Sequence, residues 1–138
     1  MEHADIISLE LEVCAVGHDD IDVWMQGSLV VAINRARPYT EDEIVLADRL
    51  LASLEQDGDF QIFSCVCGMP GCAGRAKGIR VQHRQGVVEW LDLDREQAWQ
   101  FERVRIDREL AQVREDVEMF KRFFARKGIS YVGLGWDW

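Results

Sequence analysis

The feature that most constrains the fold is a short cysteine- and glycine-rich stretch near the middle of the chain. Residues 60–74 contain three of the four cysteines, Cys65, Cys67 and Cys72, and one of the two prolines. Glycine and proline favour tight turns, so the chain is expected to fold back on itself here. The apolar residues before the turn predict a strand that runs from Phe60 to Cys65.

Paired strands are predicted on both sides of this turn. Residues 78–83 and 87–91 are rich in isoleucine, valine and tryptophan, and Gly86 between them can supply the positive φ of a hairpin turn. Apolar and polar residues alternate over 7–14 and again over 23–33, which predicts a second antiparallel pair with a polar turn between its strands.

Two helices are also predicted. Thr40 and Glu43 have the spacing of a capping box before an apolar stripe, which predicts a helix over residues 40–57. Apolar residues recur at spacings of three and four over residues 107–127, and basic residues follow, which predicts a longer helix. Residues 92–106 fit neither period and are open between an edge strand and a short helix.

These patterns predict one α+β domain over residues 1–138: a twisted, mainly antiparallel sheet of five or six strands carrying two helices, the longer one C-terminal. No apolar run reaches the roughly 18–20 residues of a membrane span, and the first residues lack the profile of a signal peptide. A cytoplasmic location is therefore expected. In a reducing compartment, thiols or metal ligands are more common roles for cysteine than disulfides.

The spacing of Cys65, Cys67 and Cys72 makes them candidate zinc ligands, because a tight turn can bring several thiolates to one point. The fourth ligand is open among three residues: Cys14, His18 and His83. The alternative is that the three thiols pack a tight turn as small hydrophobic groups. Redox chemistry is less favoured, because the chain has no Cys-x-x-Cys motif. Zinc is thus a candidate, and no other cofactor is expected.

Negative charge is concentrated in the first part of the chain. Residues 1–60 contain 14 acidic and three basic residues, a balance of −11, whereas residues 61–138 contain 11 and 13, a balance of +2. Nucleic acid needs clustered lysine and arginine, so neither it nor a membrane is an expected partner. A basic protein is expected instead, because complementary charge speeds encounter. The alternative is that acidic loops only keep a soluble protein dispersed.

The predicted partner-binding residues are Asp19, Asp20 and Asp22, with Trp24 as an aromatic anchor. The alternative for the three aspartates is a solvated turn. Residues 136–138 contain two further tryptophans, which could bind a partner or close over the protein's own core.

No catalytic residue is predicted. No serine or cysteine has a recognisable base partner, and no glycine pattern matches a phosphate-binding or dinucleotide-binding loop. The expected class is a non-enzymatic binding protein. The alternatives are a zinc-stabilised structural or adaptor subunit, and a small enzyme without a recognisable motif.

Two resemblances extend these predictions. The segment Cys65-Val-Cys-Gly-Met-Pro-Gly-Cys72 resembles the zinc-binding segment that follows the catalytic domain of SET-type lysine methyltransferases, but the chain has no SET motif, so methyl transfer is not implied. The order of acidic strands, helix, cysteine-glycine centre and long C-terminal helix resembles small bacterial proteins with a Cys-x-Cys-Gly centre. Some of these are similar to immunity proteins of polymorphic toxin systems. This resemblance implies an acidic protein that binds and neutralises a cognate toxin.

Overall fold

The computed structural model describes residues 3–17, 22–67 and 74–134, and within them the chain forms nine strands and two helices. The strands are β1 (Ile7–Gly17), β2 (Val23–Ile33), β3 (Glu43–Val45), β4 (Gly58–Phe60), β5 (Phe63–Cys65), β6 (Ile79–Arg84), β7 (Val87–Asp92), β8 (Gln97–Glu102) and β9 (Tyr131–Gly133). The helices are α1 (Ala47–Ser53) and α2 (Arg103–Arg126). The α+β class, with the longer helix C-terminal, is confirmed.

The strands are divided among three sheets, where the sequence predicted one sheet of five or six strands. Their orders are β1-β2-β9, β3-β5 and β4-β6-β7-β8. Among the described residues every pairing is antiparallel except that of β2 with β9, which is parallel. The prediction of mainly antiparallel strands is therefore correct.

Both predicted hairpins are present. β1 and β2 pair along their whole length, from Ile7 opposite Ile33 to Gly17 opposite Val23. β6 and β7 are joined by a short turn in which Gly86 has a φ of 72°, the left-handed region that favours glycine.

The first helix is shorter than predicted and begins at Ala47 rather than at Thr40. The Glu43 carboxylate accepts a hydrogen bond of 3.0 Å from the Thr40 N–H, as in a capping box, but the Thr40 hydroxyl also donates to this carboxylate, at 3.1 Å, whereas in a capping box it would accept from the Glu43 N–H. The residues that follow are nevertheless extended and form β3, in which Ile44 lies opposite Ser64 of β5. Two β-branched residues suit that pairing, which overrides the local helix signal.

The predicted strand over residues 60–65 is interrupted because the chain passes there from one sheet to another. β4 pairs with β6, whereas β5 pairs with β3. Ile62, between them, is fully buried, and its carbonyl accepts a hydrogen bond of 2.7 Å from the Leu46 N–H.

The ambiguous segment 92–106 contains the edge strand of its two predicted alternatives, and its last residues belong to the long helix rather than to a separate short one. β8 is an edge strand on β7, and α2 follows it directly from Arg103, earlier than the predicted residue 107. α2 is 24 residues long, but no helix in the described ranges combines the length and the apolar character needed to cross a membrane.

One continuous core lies between the sheets and the helices. It includes Ile7, Leu9, Leu29, Val31, Leu50, Phe63, Ile79, Val81, Val88, Trp90, Phe101, Ile106, Leu110, Val113 and Val117. α2 also runs along the start of β1. The Leu9 N–H donates to Glu109 at 3.2 Å, and Arg105 donates to the Ile7 carbonyl at 2.6 Å. The outer edge of β1 is therefore satisfied by side chains of the helix at these positions.

The opposite edge of β2 is covered as well. β9 pairs with it from Met25 to Gly27, and the Tyr39 hydroxyl accepts a hydrogen bond of 3.2 Å from the Val31 N–H. The ring of Tyr131 lies across Gly27, where an added Cβ would be 1.9 Å from its hydroxyl oxygen. A larger residue at this position would require the Tyr131 ring to move.

Two adjacent leucines of α1 provide a test of this core. Leu50 is fully buried, whereas Leu51 is partly exposed. We expect Leu50→Ala to lower the free energy of unfolding by about 2–5 kcal/mol in urea titrations, because it leaves a cavity. Leu51→Ala should cost clearly less. Equal losses at the two positions would contradict the described orientation of α1.

Candidate functional site

Arg75 is the first charged residue after the cysteine-rich stretch, and it lies buried in a network of ions. Its side chain is 1% exposed, and the carboxylates of Glu43 and Asp92 are 0% exposed. Its Nε donates to Glu43 Oε2 at 2.7 Å, Nη1 donates to Asp92 Oδ2, and Nη2 donates to the Pro38 carbonyl at 2.7 Å. The guanidinium carbon also lies 5.3 Å from the centre of the Phe63 ring.

Both carboxylates have further donors on their other oxygen. Glu43 Oε1 accepts from Arg95 Nη2 at 2.6 Å, in addition to the Thr40 N–H. Asp92 Oδ1 accepts from the backbone N–H groups of Asp94 and Arg95, each at 3.1 Å. Buried charges are tolerated when they are paired and hydrogen-bonded in this way.

The hydrogen bonds decide the ionisation of Glu43. Burial alone would raise the pKa of this carboxyl group, but donation from the Thr40 N–H, Arg75 and Arg95 outweighs burial and holds the pKa below its ordinary value of 4.5. Glu43 is therefore a carboxylate at neutral pH. Because its oxygens are occupied and buried, we interpret the network as a structural connection rather than as an acid–base pair.

Two of the three candidate zinc ligands lie next to each other. Cys65 ends β5 and is 9% exposed, and Cys67 is exposed. Their Sγ atoms are 3.2 Å apart. Two thiolates on one tetrahedral zinc ion, with bonds of about 2.3 Å, are separated by roughly 3.8 Å, so the pair would have to open by about 0.6 Å. Cys72 lies outside the described residues.

The candidates for a fourth ligand are not brought to this pair in the described ranges. Cys14 is on β1 opposite Gln26, His83 Nε2 is 2.7 Å from the Ser53 carbonyl oxygen, and His18 lies outside the described residues. Within those residues no group of three or more His, Cys, Asp or Glu side chains could hold a metal ion. They supply two sulfurs of a zinc site, and zinc stays a prediction of the sequence.

The even-numbered residues of β1 and β2 form a sheet face directed away from the core, here called the outer hairpin face. It consists of Ser8, Glu10, Glu12, Cys14, Val16, Trp24, Gln26, Ser28, Val30 and Ala32. All ten are at least partly exposed, whereas alternate residues of the same strands, such as Leu9 and Val31, are buried. Trp24 lies opposite Val16 on this face, and Glu12 lies opposite Ser28.

A small pocket of about 160 Å³ opens at the side of the outer hairpin face. Glu12 and Val30 line it together with Arg37 and Tyr39. Arg37 is 3.6 Å from Glu12, but both side chains are more than half exposed, so the pair is weak and readily exchanged for another.

The structure brings together part of the predicted partner-binding set. Asp22 is exposed at the start of β2, and Trp24 shares the outer hairpin face with Glu10 and Glu12. Asp19 and Asp20 lie outside the described residues, as do residues 136–138. The sequence prediction emphasised the turn and gave no site role to Glu10 and Glu12. The period-2 pattern of β1, which puts both on its polar side, was the signal that could have found them.

Larger grooves are open to solvent, among them one on the outer side of β6, β7 and β8 and one between α1 and α2, with volumes of about 470 and 420 Å³. Two of the charged residues that line the first groove, Arg80 and Glu89, are held in cross-strand pairs. Arg80 Nε is 2.9 Å from Asp59, and Arg84 Nε is 3.2 Å from Glu89. These pairs are typical of a solvated sheet surface.

Comparison with known proteins gives no identification, because no family model, no curated protein and no solved structure matches the chain. The resemblances to immunity proteins and to a methyltransferase zinc segment therefore stay predictions. Charge, exposure and geometry are the grounds on which a function can be argued.

The Arg75 network is tested by Glu43→Gln. We expect a loss of about 3–5 kcal/mol in the free energy of unfolding at neutral pH, because a buried ion loses its partner. The folded-state pKa of Glu43 is lowered, so its stabilisation should be lost as the pH falls from the ordinary value of 4.5 through the lower folded pKa. The difference between variant and wild type should therefore shrink in urea titrations at acidic pH.

Asp59→Asn is the matched control for this measurement. It removes the carboxylate from an exposed ion pair. The Arg80 side chain of this pair is 49% exposed, and the Asp59 side chain is 45% exposed. Water screens such a pair, so the loss should be far smaller than at Glu43. Equal losses in the free energy of unfolding at Glu43 and Asp59 would show that the buried network contributes no more to stability than the exposed pair.

Metal analysis tests the zinc prediction. Protein prepared without a metal-binding tag should contain close to one zinc ion per chain if the cysteines belong to a complete four-ligand site, and far less if they are thiols that pack a turn. A content close to one, with residues 60–91 loosened by a chelator, would establish a metal centre, and a content near zero would refute the zinc prediction.

Proposed function

We propose that this chain is a non-enzymatic acidic protein whose outer hairpin face binds a basic surface of a protein partner in the cytoplasm. The observation that carries the proposal is that Glu10, Glu12 and Trp24 lie on one sheet face whose residues are all at least partly exposed. The resemblance to immunity proteins favours a toxin as the partner, which the chain would bind and neutralise. Neither a reaction nor a catalytic residue is part of this proposal.

The outer hairpin face is long enough to form part of a protein interface. Each of its two strands has 11 residues, which corresponds to a length of roughly 35 Å. Two strands are about 10 Å wide, so the face offers roughly 350 Å², a part of the ~800 Å² that one partner usually contributes to an interface. Trp24 supplies apolar area with little side-chain entropy to lose, as interface anchors do.

Charge supports a basic partner. Residues 1–60 have a balance of −11, and the whole chain has a net charge of −9. Such a field speeds the approach of a cationic protein and fixes its orientation. The pocket beside Glu12 could accept a lysine or arginine side chain, which would replace the weak contact with Arg37.

The edges of the same sheet are less suited to recognition. α2 satisfies the outer edge of β1 near Leu9, and β9 and Tyr39 satisfy that of β2. A partner strand cannot add at these positions, because their backbone groups already have hydrogen bonds. Binding by side chains of the face is therefore favoured over strand addition.

A second candidate is an adaptor or structural subunit. Met119 and Phe123 lie one turn apart on α2, and each is 48% exposed. Apolar residues exposed at this spacing can form a contact between copies of the chain. Analytical ultracentrifugation separates the candidates, because an adaptor that uses this contact should self-associate and an inhibitor of the proposed kind should be monomeric.

The binding proposal is tested with the product of the adjoining reading frame as the candidate partner. The double variant Glu10→Gln/Glu12→Gln should associate with it about tenfold more slowly at low ionic strength, and added salt should reduce this difference. Trp24→Ala should mainly speed dissociation, by about tenfold or more. Both effects can be measured by surface plasmon resonance.

Glu115→Gln/Glu118→Gln is the matched control. It removes the same charge from exposed positions on α2 and should leave both rates nearly unchanged. If the two double variants slow association equally, the effect comes from net charge alone. That result would refute the outer hairpin face as the binding site. If the adjoining product is a toxin, co-expression of the wild-type chain should also restore growth of the host.

A further inference from the structure

The two cysteines at the end of β5 differ in accessibility although their sulfurs touch. Cys65 is 9% exposed, Cys67 is exposed, and their Sγ atoms are 3.2 Å apart. The sum of two sulfur radii is about 3.6 Å, so this is a close contact in which the Cys67 thiol donates to Cys65. Disulfide exchange by a dithiol needs one thiol that the substrate can reach and a second thiol close enough to attack the mixed disulfide.

We propose that Cys65 and Cys67 form a thiol–disulfide exchange site whose substrate is a low-molecular-weight disulfide. Cys67 is the group that attacks the substrate, because it is reached from solvent. Cys65, the buried thiol, then attacks the mixed disulfide on Cys67. This inference concerns a different part of the molecule from the outer hairpin face and does not depend on the proposed partner.

The reaction has two exchanges. The Cys67 thiolate attacks one sulfur of the substrate disulfide, forms a mixed disulfide and releases the first small thiolate. The Cys65 thiolate then attacks Cys67 Sγ, forms the Cys65–Cys67 disulfide and releases the second small thiolate, and both small thiolates take up the protons given up by the two protein thiols. The protein loses two electrons and two protons, and the substrate disulfide is reduced to two thiols.

The surroundings of Cys65 hold it in position for the second step. Its backbone lies opposite Glu43 in the β3–β5 ladder, and the Val66 N–H donates to the Asp42 carbonyl at 3.0 Å. Glu43 is in turn fixed by Arg75. The resolving sulfur is therefore held on a supported strand end, which lowers the entropy to be lost when the disulfide closes.

Closing the bond from 3.2 Å to about 2.05 Å requires the sulfurs to approach by roughly 1.2 Å across a short loop. Disulfides that are strained or exposed have high reduction potentials and are easily reduced. The expected product is thus a reversible disulfide, in contrast to a permanent structural link.

Peptide mapping tests the pairing in protein that lacks only Cys14. Cys14→Ser protein is treated with oxidised glutathione at neutral pH and cleaved with cyanogen bromide, which cuts after Met69, between Cys67 and Cys72. We expect the chain to lose two titratable thiols, and fragments 26–69 and 70–119 to separate without a reductant. Fragments that stay joined until reduction would place the disulfide on Cys72 and overturn the proposal, as would the survival of all three thiols.

The order of attack is tested in protein that also carries Cys72→Ser. Adding Cys65→Ser should trap glutathione on Cys67 as a stable mixed disulfide, visible by intact mass. Adding Cys67→Ser instead should slow capture at least tenfold, because Cys65 is buried. Equal capture rates in these two variants, or a stable mixed disulfide when both thiols are present, would overturn the assigned roles. Dithiothreitol should reverse the reaction in every case.

Discussion

The guanidinium of Arg75 is the constraint on which the centre of the molecule depends. An arginine cannot lose its charge, so a fully buried one must find acceptors for its fork of N–H groups. It finds them in Glu43, Asp92 and the Pro38 carbonyl, which belong to three separate parts of the chain. These segments must therefore come together whenever the chain folds, and the residue that gathers them directly follows the cysteine-rich stretch.

The arrangement around Arg75 explains why the sheet is divided. Glu43 is held at the network as the first residue of β3, and β3 pairs with β5, so the strand that leads to the cysteines leaves the sheet of β6 and β7. The sulfur of Cys65 thereby acquires a fixed position beside Cys67. The outer hairpin face is separate, since it depends on β1, β2 and the cover that α2 provides on one edge.

The sequence predicted correctly those elements that one local pattern of residues is enough to define. The β1–β2 pair, the hairpin at Gly86 and the amphipathic α2 follow from alternation, turn chemistry and helical spacing. The helix start predicted from Thr40 and Glu43 was wrong, because a capping pattern cannot reveal that Glu43 pairs with an arginine 32 residues away. The face containing Glu10 was recoverable from strand period, whereas the approach of two cysteine sulfurs depends on a turn whose geometry spacing alone does not determine.

Hydrogen exchange in Arg75→Lys protein tests the central role of Arg75 most directly. Lysine retains the charge but lacks the planar fork, so it cannot serve three acceptors in fixed directions. Amides of the β3–β5 pair and of Asp94 and Arg95 should exchange much faster than in the wild type, while those of the β1–β2 hairpin keep their protection. Unchanged exchange in β3 and β5, or an equal loss in β1 and β2, would contradict the assignment of Arg75 as the residue that holds the centre together.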